Sequence, residues 1–506
     1  MAFSSVILSA FTNVYICLPL LVVAYVVYTR YFTGLSHIPG PGIASISNFW
    51  KINAAWHQDM PKRNIALHRE HGPLVRIGPN MISVDDPAAL PIIYGFKPIF
   101  TKTAFYPIVE ALYKGKLVAN LFTTRSEKYH AHLKRSSVNA YSMTALGDLE
   151  PQVQPVIDLF LQKIHDVGAG GTKPFDIGTW AQYFAFDALG QINFSEDLGF
   201  LRTGTDVGNS IGTIDGLLAY LSIIGQAPWL HKLLLGNPLV HRLLPLESSN
   251  QVQNFAVDMI TKRMASIDND DKPPQRDMLA RLLEVSSQDD AKLSLTEIIG
   301  LTTTNLIAGS DSTAIGLRAI LYFLCRSPAA YAKLQEEIDA GFAAGELEAP
   351  TPRYADAAKL PYLQAVVTEA LRAHAATGFV LEREVPAGGA EIAGQAIPGG
   401  TIVGINSWVM HANKEVYGED AEAFRPERWF EDEQRVREMK RCNMSFGAGP
   451  RVCIGRNISM MEIIKFIPAL MRCFDFKLAN PEQEWEVLGH WFTKQTNLDM
   501  IFTPRV

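Results

Sequence analysis

The apolar positions change their period several times along the chain. From Val6 to Tyr28 the run VILSAFTNVYICLPLLVVAYVVY is almost wholly apolar and carries no charge. At ~1.5 Å per residue, a helix over this run spans about 34 Å, enough to cross a bilayer core of about 30 Å with slight tilt. Pro19 inside it is a kink that a membrane helix tolerates. Residues 37–42, HIPGPG, then alternate proline and glycine and exclude helix. The stretch 71–86, HGPLVRIGPNMISVDD, reads as two short strands around a Gly-Pro turn. Between about 125 and 370 the repeat is largely helical, over 125–142, 150–166, 176–193, 250–266, 276–285, 295–325 and 327–342. Short β-like runs occupy 382–406, a helix follows over 456–475, and a β-like tail passes through Phe492 and Met500. The expected fold is mainly α with a small β portion.

One segment fits neither period cleanly. Residues 213–245 are rich in leucine but broken by Pro228, Pro238 and Pro245, with Lys232 and Arg242 inside. It is no second span. Two readings stand: buried helix pairs, or an apolar surface that rests on the membrane the first span enters.

Composition narrows the setting. The 506 residues are 48% hydrophobic with a net charge of −6, and no long single-sign run is present. That argues against a nucleic-acid partner. Cys17, Cys325, Cys442, Cys453 and Cys473 form neither a C-x-x-C pair nor a disulfide framework, which suits a reducing, cytosol-facing body. The first span lacks the basic start and small-residue cleavage site of a secretory signal, so it reads as a retained anchor. Arg30 just after it places the bulk of the chain on the cytosolic side. The expected layout is a membrane anchor over 1–30, a Pro/Gly-rich linker over 31–45 and one globular body over 46–506. The sequons at Asn193, Asn443 and Asn457 would matter only for a lumenal body.

The chemistry concentrates at 446–455, FGAGPRVCIG. Gly447 and Gly449 permit a tight turn and close backbone approach around Cys453. The helix IGRNISMMEIIKFI follows at once, aiming its positive end at the sulfur. A metal-ligating thiolate calls for a lowered pKa and exclusion of water. Gly455 allows close packing against whatever the sulfur binds, and Arg451 is placed to pair with a carboxylate on that ligand.

Phe446, Gly449, Arg451, Cys453 and Gly455 fill F-x-x-G-x-R-x-C-x-G, which resembles the heme-binding loop of the cytochrome P-450 family. The resemblance extends over the chain. It implies the family's fold, heme b (iron protoporphyrin IX) as cofactor, and Cys453 as the axial ligand of the heme iron. Glu369 and Arg372 in TEALR match its buried E-x-x-R pair, and Arg428 in FRPERW matches the third, structural member. In AGSDST, Ala308 and Gly309 are the small residues over the distal heme face. Asp311 is the acid, Ser312 stands at the alcohol position and Thr313 follows. This trio would deliver protons to dioxygen, and the small residues would loosen the helix locally. Serine departs from the usual threonine, keeping the hydroxyl but losing the methyl that fixes its rotamer.

Arg451 and Arg383, with His130 and Lys134 in KYHAHLKR standing in for W-x-x-x-R, would hold the heme carboxylates. The 101–121 loop, Asn305, Ala308, residues 376–380 and Trp491–Phe492 would line an apolar substrate pocket. Lys134, Arg135, Arg437, Lys440, Arg441 and Arg451 would form a basic docking face for an acidic NADPH-dependent reductase. Within the family the chain looks most like fungal, pisatin-demethylase-like enzymes of specialised metabolism anchored in the endoplasmic reticulum. The implied activity is monooxygenation of a hydrophobic small molecule with O2. The alternatives are oxygen-independent isomerase or dehydratase chemistry on the same heme, or an inactive membrane-anchored ligand-binding protein.

Overall fold

The longest helix, Leu295–Arg326, begins where Ser294 and Glu297 cap each other: the Ser294 hydroxyl accepts from the Glu297 N–H, and the Glu297 carboxylate accepts from the Ser294 N–H. It ends at Ser327 because Pro328 follows. Most of its middle is buried on every face, so it crosses the core rather than lying on it. Around it pack Met143–Val167, Ile177–Phe194, Pro361–Ala373 and Arg456–Cys473. Phe160, Phe184 and Phe466, from three of these helices, stack with ring centroids 4.9–5.2 Å apart. This computed structural model describes residues 17–114, 116–237, 240, 251–268, 276–287 and 293–505.

A five-stranded sheet flanks the helices, in the order Leu74–Gly78, Met81–Val84, Ile402–Gly404, Arg383–Glu384 and Thr101–Lys102. The register sets Lys102 directly opposite Arg383, two cations on neighbouring strands. A three-stranded sheet joins Phe474–Leu478, Asp499–Pro504 and Phe175–Asp176. The hairpin Glu486–Gly489 and Thr493–Thr496 carries Trp491 and Phe492 at its turn.

The apolar helix Cys17–Phe32 leads into the body with Leu18, Leu20, Leu21, Val22 and Val23 exposed. The first part of the expected span, 6–16, lies outside the described residues. Arg76, fully buried and without a carboxylate partner among the described residues, ties the exit of this helix to the sheet. Its guanidinium donates to the carbonyls of Thr29 (2.5 Å), Pro79 (2.6 Å), Leu35 and Ser45 (both 3.3 Å).

Several boundaries moved. The helix expected over 150–166 starts at Met143 and carries Pro151 and Pro155 inside it, because Ser142 caps it eight residues before Glu150. Phe49–Trp56, Met60–His71 and Glu433–Cys442 are helices the periodicity did not single out. The local loosening expected at Ala308–Gly309 is absent: Leu295–Arg326 runs unbroken. Gly309 serves packing instead, since a Cβ there would stand 2.9 Å from Leu189 Cδ1 on the crossing helix.

In the leucine-rich segment the described residues include both a buried face and exposed apolar side chains. Val207–Ile224 is the one described stretch long and apolar enough to cross a membrane by length and composition. Yet Ile214, Leu218 and Leu221 sit in the core, and its Asp215 pairs with Lys494 at 2.9 Å. The turn after it exposes Trp229, Leu233 and Leu234. Pro238, Arg242 and Pro245 lie outside the described residues.

Candidate active site

The loop before Arg456–Cys473 folds back on itself: the Cys453 N–H donates to the Phe446 carbonyl at 2.9 Å, and the Gly447 N–H to the Met444 carbonyl at 2.8 Å. Gly447 and Gly449 take φ of +76° and +66°, which an L side chain rarely adopts. At 449 a Cβ would also lie 1.7 Å from the Tyr94 carbonyl oxygen. Glycine is therefore required at 449 on two counts. The Cys453 side chain opens into a cavity of about 280 Å³ and is otherwise packed by protein.

Burial pushes the Cys453 thiol up, while the backbone N–H groups of Gly455 and Arg456 and the Arg456 charge pull it back. The depressed pKa expected from the helix end is thus not reached, because desolvation outweighs the N–H groups. Metal ligation itself deprotonates such a thiol.

Cationic side chains gather on one flank of the same cavity: Lys102, Lys134, Arg383 and Arg451, with His130 among them. Burial and the surrounding positive charges hold the His130 pKa down to about 3, so the ring is neutral and not a cation. Arg383 Nη1 donates to the Glu382 carbonyl (2.8 Å) and the Tyr106 hydroxyl (3.2 Å). Arg451 makes a two-pronged contact with Glu127, 2.7 and 3.2 Å. That contact corrects one expectation. Arg451 is almost fully enclosed and faces the cavity, so it takes no part in an outer docking face. Lys134 likewise points inward to the Pro450 carbonyl at 2.7 Å. Of the remaining basic cluster, Arg437 and Arg441 pair with Glu433 and Glu438 of their own helix, and Arg135 and Lys440 are exposed.

Lys102 was missed in the sequence. Its ammonium donates to the Phe122 carbonyl at 2.6 Å and lies 4.2 Å from the Tyr106 ring centroid. Only the pairing of its strand with that of Arg383 reveals it, although a lysine beside the apolar run AFYPIV was a usable signal.

A second wall comes from the long helix: Leu301, Thr304, Asn305, Ala308, Gly309 and Ser312 all line the cavity. The expected trio separates here. Ser312 faces the cavity and donates its hydroxyl hydrogen to the Ala308 carbonyl at 2.8 Å. Asp311 is buried behind it and accepts from the Gln182 amide, whose oxygen in turn accepts from Arg318 at 3.2 Å. Burial raises the Asp311 pKa to about 6, against the opposing pull of Lys494, Arg318 and Gln182. Thr313 does not reach the cavity; its hydroxyl meets Ser459 at 2.9 Å. Two residues along a helix differ by about 200° in direction, so Asp311 and Thr313 point to opposite flanks.

Tyr106, Leu121, Phe122, Ala376, Thr377, Trp491 and Phe492 supply further lining, mostly aromatic and apolar, as the sequence indicated. Glu369, Arg372 and Arg428 come together away from it, fully buried.

The donor set fits heme: one sulfur in a glycine turn, a cationic flank for two carboxylates, and an apolar, small-residue wall. A family model described as Cytochrome P450 matches residues 39–501. A "Cytochrome P450 monooxygenase" of Aspergillus terreus is 37% identical over 470 residues, covering 90% of this chain and 94% of that protein. "Cytochrome P450 monooxygenase cicH" of Emericella nidulans is 36% identical over 477 residues, covering 93% and 94%. "Cytochrome P450 monooxygenase AFLA_114810" of Aspergillus flavus is 33% identical over 474 residues, covering 93% and 92%. The matched span begins in the Pro-Gly stretch, ends in the last strand and takes in every site residue described, and the chain belongs to the cytochrome P450 family.

Proposed function

We propose that this chain oxidises a hydrophobic small molecule of fungal specialised metabolism, using O2 and electrons from an NADPH-dependent reductase. Family membership makes it a heme b oxidoreductase of the monooxygenase type, acting on a small molecule with O2 and a redox partner. The observation that carries the finer reading is that Cys453 and Ser312 line one cavity walled by Tyr106, Phe122, Trp491 and Phe492. Apolar, aromatic lining with a few convergent polar groups suits a hydrophobic substrate.

Bound heme, with Cys453 as its thiolate ligand, supplies the oxidising chemistry. The chain's own residues do the rest. Lys102, Lys134, Arg383 and Arg451 hold the carboxylates, with His130 as a neutral donor. Phe446 and the three glycines shape the sulfur's turn, and Ala308 and Gly309 leave room opposite. Asp311, with its pKa raised to about 6, is the acid that exchanges protons near neutral pH, and Ser312 presents a hydroxyl to the cavity. The apolar helix ending at Phe32 anchors the chain in the endoplasmic reticulum membrane with residues 46–506 in the cytosol, and Arg76 fixes how the body leaves that helix. The retained acid and alcohol favour oxygen chemistry over isomerisation.

The reduced protein with carbon monoxide should show the red-shifted Soret band of thiolate ligation. Cys453→Ala should lose it and Cys442→Ala should keep it; a normal band in Cys453→Ala removes the assignment. Mass spectrometry after incubation with reductase and NADPH, against terpenoid, polyketide and alkaloid intermediates, identifies the substrate. An isomerised or dehydrated product formed without NADPH would replace the monooxygenase reading.

A further inference from the structure

The long helix Leu295–Arg326 gives the cavity three polar side chains, Thr304, Asn305 and Ser312. None of them has a hydrogen left to donate into it. The Thr304 hydroxyl donates to the Gly300 carbonyl at 2.6 Å, and the Ser312 hydroxyl to the Ala308 carbonyl at 2.8 Å. A hydroxyl has one hydrogen and two lone pairs, so each is left with lone pairs only. The Asn305 amide is held by a one-way chain. The Tyr141 hydroxyl donates to Asn305 Oδ1 (2.8 Å), Asn305 Nδ2 donates to Asn193 Oδ1 (2.9 Å), and Asn193 Nδ2 ends on the Leu189 carbonyl (2.9 Å). That carbonyl can only accept, which fixes both amides against a flip. The second Asn305 hydrogen is taken by Met278 Sδ at 3.1 Å. The helix wall therefore offers the cavity acceptors and no donor.

Of the three, Thr304 has no other task. Its back-bond to the carbonyl four residues earlier adds nothing to the helix, and valine has the same shape without a polar atom. An oxygen lone pair on a wall shared with Leu301 and Ala308, in a cavity with Phe122 and Trp491, costs free energy unless a donor meets it. Thr304 stands one turn, about 6 Å, before Ala308 and about two turns before Ser312, so a group held there leaves Ser312 clear. Thr377, elsewhere on the cavity, has a hydroxyl with no hydrogen-bond partner among the described residues and can give or take. The restriction to acceptors thus belongs to the helix wall.

We propose that the substrate carries an O–H or N–H group that donates to Thr304 Oγ1. Its class is a phenol, an alcohol or an N–H heterocycle on an apolar skeleton, and not a plain hydrocarbon, ether or ester. Thr304 is then a specificity-determining residue: it selects the substrate by its donor and takes no part in the oxidation. The proposal rests on the reading of the cavity as a site for a hydrophobic small molecule.

The test uses the full-length holoenzyme in detergent, as wild type, Thr304→Val, Thr304→Ser and Thr304→Ala. Equilibrium dialysis gives the affinity for β-naphthol, for its methyl ether, in which the donor is masked, and for methyl β-naphthyl ketone, which can only accept. A perturbed Soret band places each ligand by the heme. In Thr304→Val the affinity for β-naphthol relative to the ether should fall by about fivefold, the net worth of one hydrogen bond. Thr304→Ser should restore the wild-type ratio, and the ratio of ketone to ether should stay the same in every form. A packing role alone would weaken all three ligands together and leave both ratios unchanged, which overturns the proposal. So does a fall that Thr304→Ser does not reverse, or a wild type that binds none of the three by the heme. If Thr304→Val loads no heme, Thr304→Ala decides in the same way. A wild type that shows the preference yet oxidises no bound ligand with reductase and NADPH would sink the monooxygenase reading and leave the donor rule standing.

Discussion

Two fully buried glutamates sit in this protein under opposite conditions. Glu369 accepts from Arg372 Nε (2.9 Å) and Nη2 (2.8 Å), Arg428 Nε (2.7 Å), Trp429 Nε1 (3.0 Å) and the Arg425 N–H (3.0 Å). Arg372 and Arg428 in turn donate to the carbonyls of His411, Ala421, Tyr417 and Ala423. Glu462 has no such partner. The saturated carboxylate is fixed in position by five donors, and it ties the 417–429 segment to helix Pro361–Ala373. The unsaturated one pays for its burial by staying neutral, and neutrality leaves it a proton to give. Saturation marks the group that holds segments together, and orphaning marks the one whose pKa burial has raised.

The largest effect that could break this contrast is on the saturated side. Arg372→Ala strands the Glu369 charge in the core, which destabilises by about 3–5 kcal/mol. It should yield little folded, heme-loaded protein by the carbon-monoxide difference spectrum. Full recovery of holoprotein with merely slowed turnover would mean that the network carries no fold.

How much of this was legible depends on where the information sits. The Cys453 turn could be read because Phe446 to Gly455 is contiguous and its glycines have one conformational purpose. Glu369 and Arg372 were readable for the same reason, three residues apart on one helix. What escaped arises between segments far apart in sequence. Lys102 meets Arg383 only through strand pairing, and Glu127 captures Arg451 only because their elements pack together. Glu462 in SMMEIIKF looks like any helical glutamate; packing on the long helix is what orphans it. The start at Met143 slipped because the Ser142 cap lies ahead of the apolar repeat, and Pro151 and Pro155 are carried inside the helix.

The next effect concerns stability against pH and isolates Glu462. Its folded pKa, about 8, lies above its ordinary 4.5. Across that window the folded state binds more protons than the unfolded one, so wild-type stability falls as pH rises from about 4.5 to about 8. Glutamine does not ionise, and Glu462→Gln should lose this share of the decline. The urea midpoint of the variant minus that of wild type should therefore climb through the window and then level off. A flat difference would mean that Glu462 titrates as an ordinary carboxylate, and the contrast with Glu369 would fail.

The smallest effect is at Ser312, whose hydroxyl sits at the cavity wall. Its hydroxyl hydrogen is already given to the Ala308 carbonyl at 2.8 Å, so donating into the cavity means giving up a bond worth about 1 kcal/mol net. That penalty corresponds to about fivefold, and serine's free χ1 does nothing to reduce it. Ser312→Ala should therefore keep heme content and the Soret position while lowering the share of reducing equivalents that end in water by about fivefold. Ser312→Thr, with a fixed rotamer, should raise it. On the proposed reading Asp311→Asn acts upstream, because it removes the proton-exchanging carboxyl, whose pKa is raised to about 6; it should slow NADPH consumption instead of diverting it to peroxide. If Ser312→Ala leaves the partition unchanged, the hydroxyl that faces the cavity carries no part of the delivery, and the role proposed for Ser312 fails.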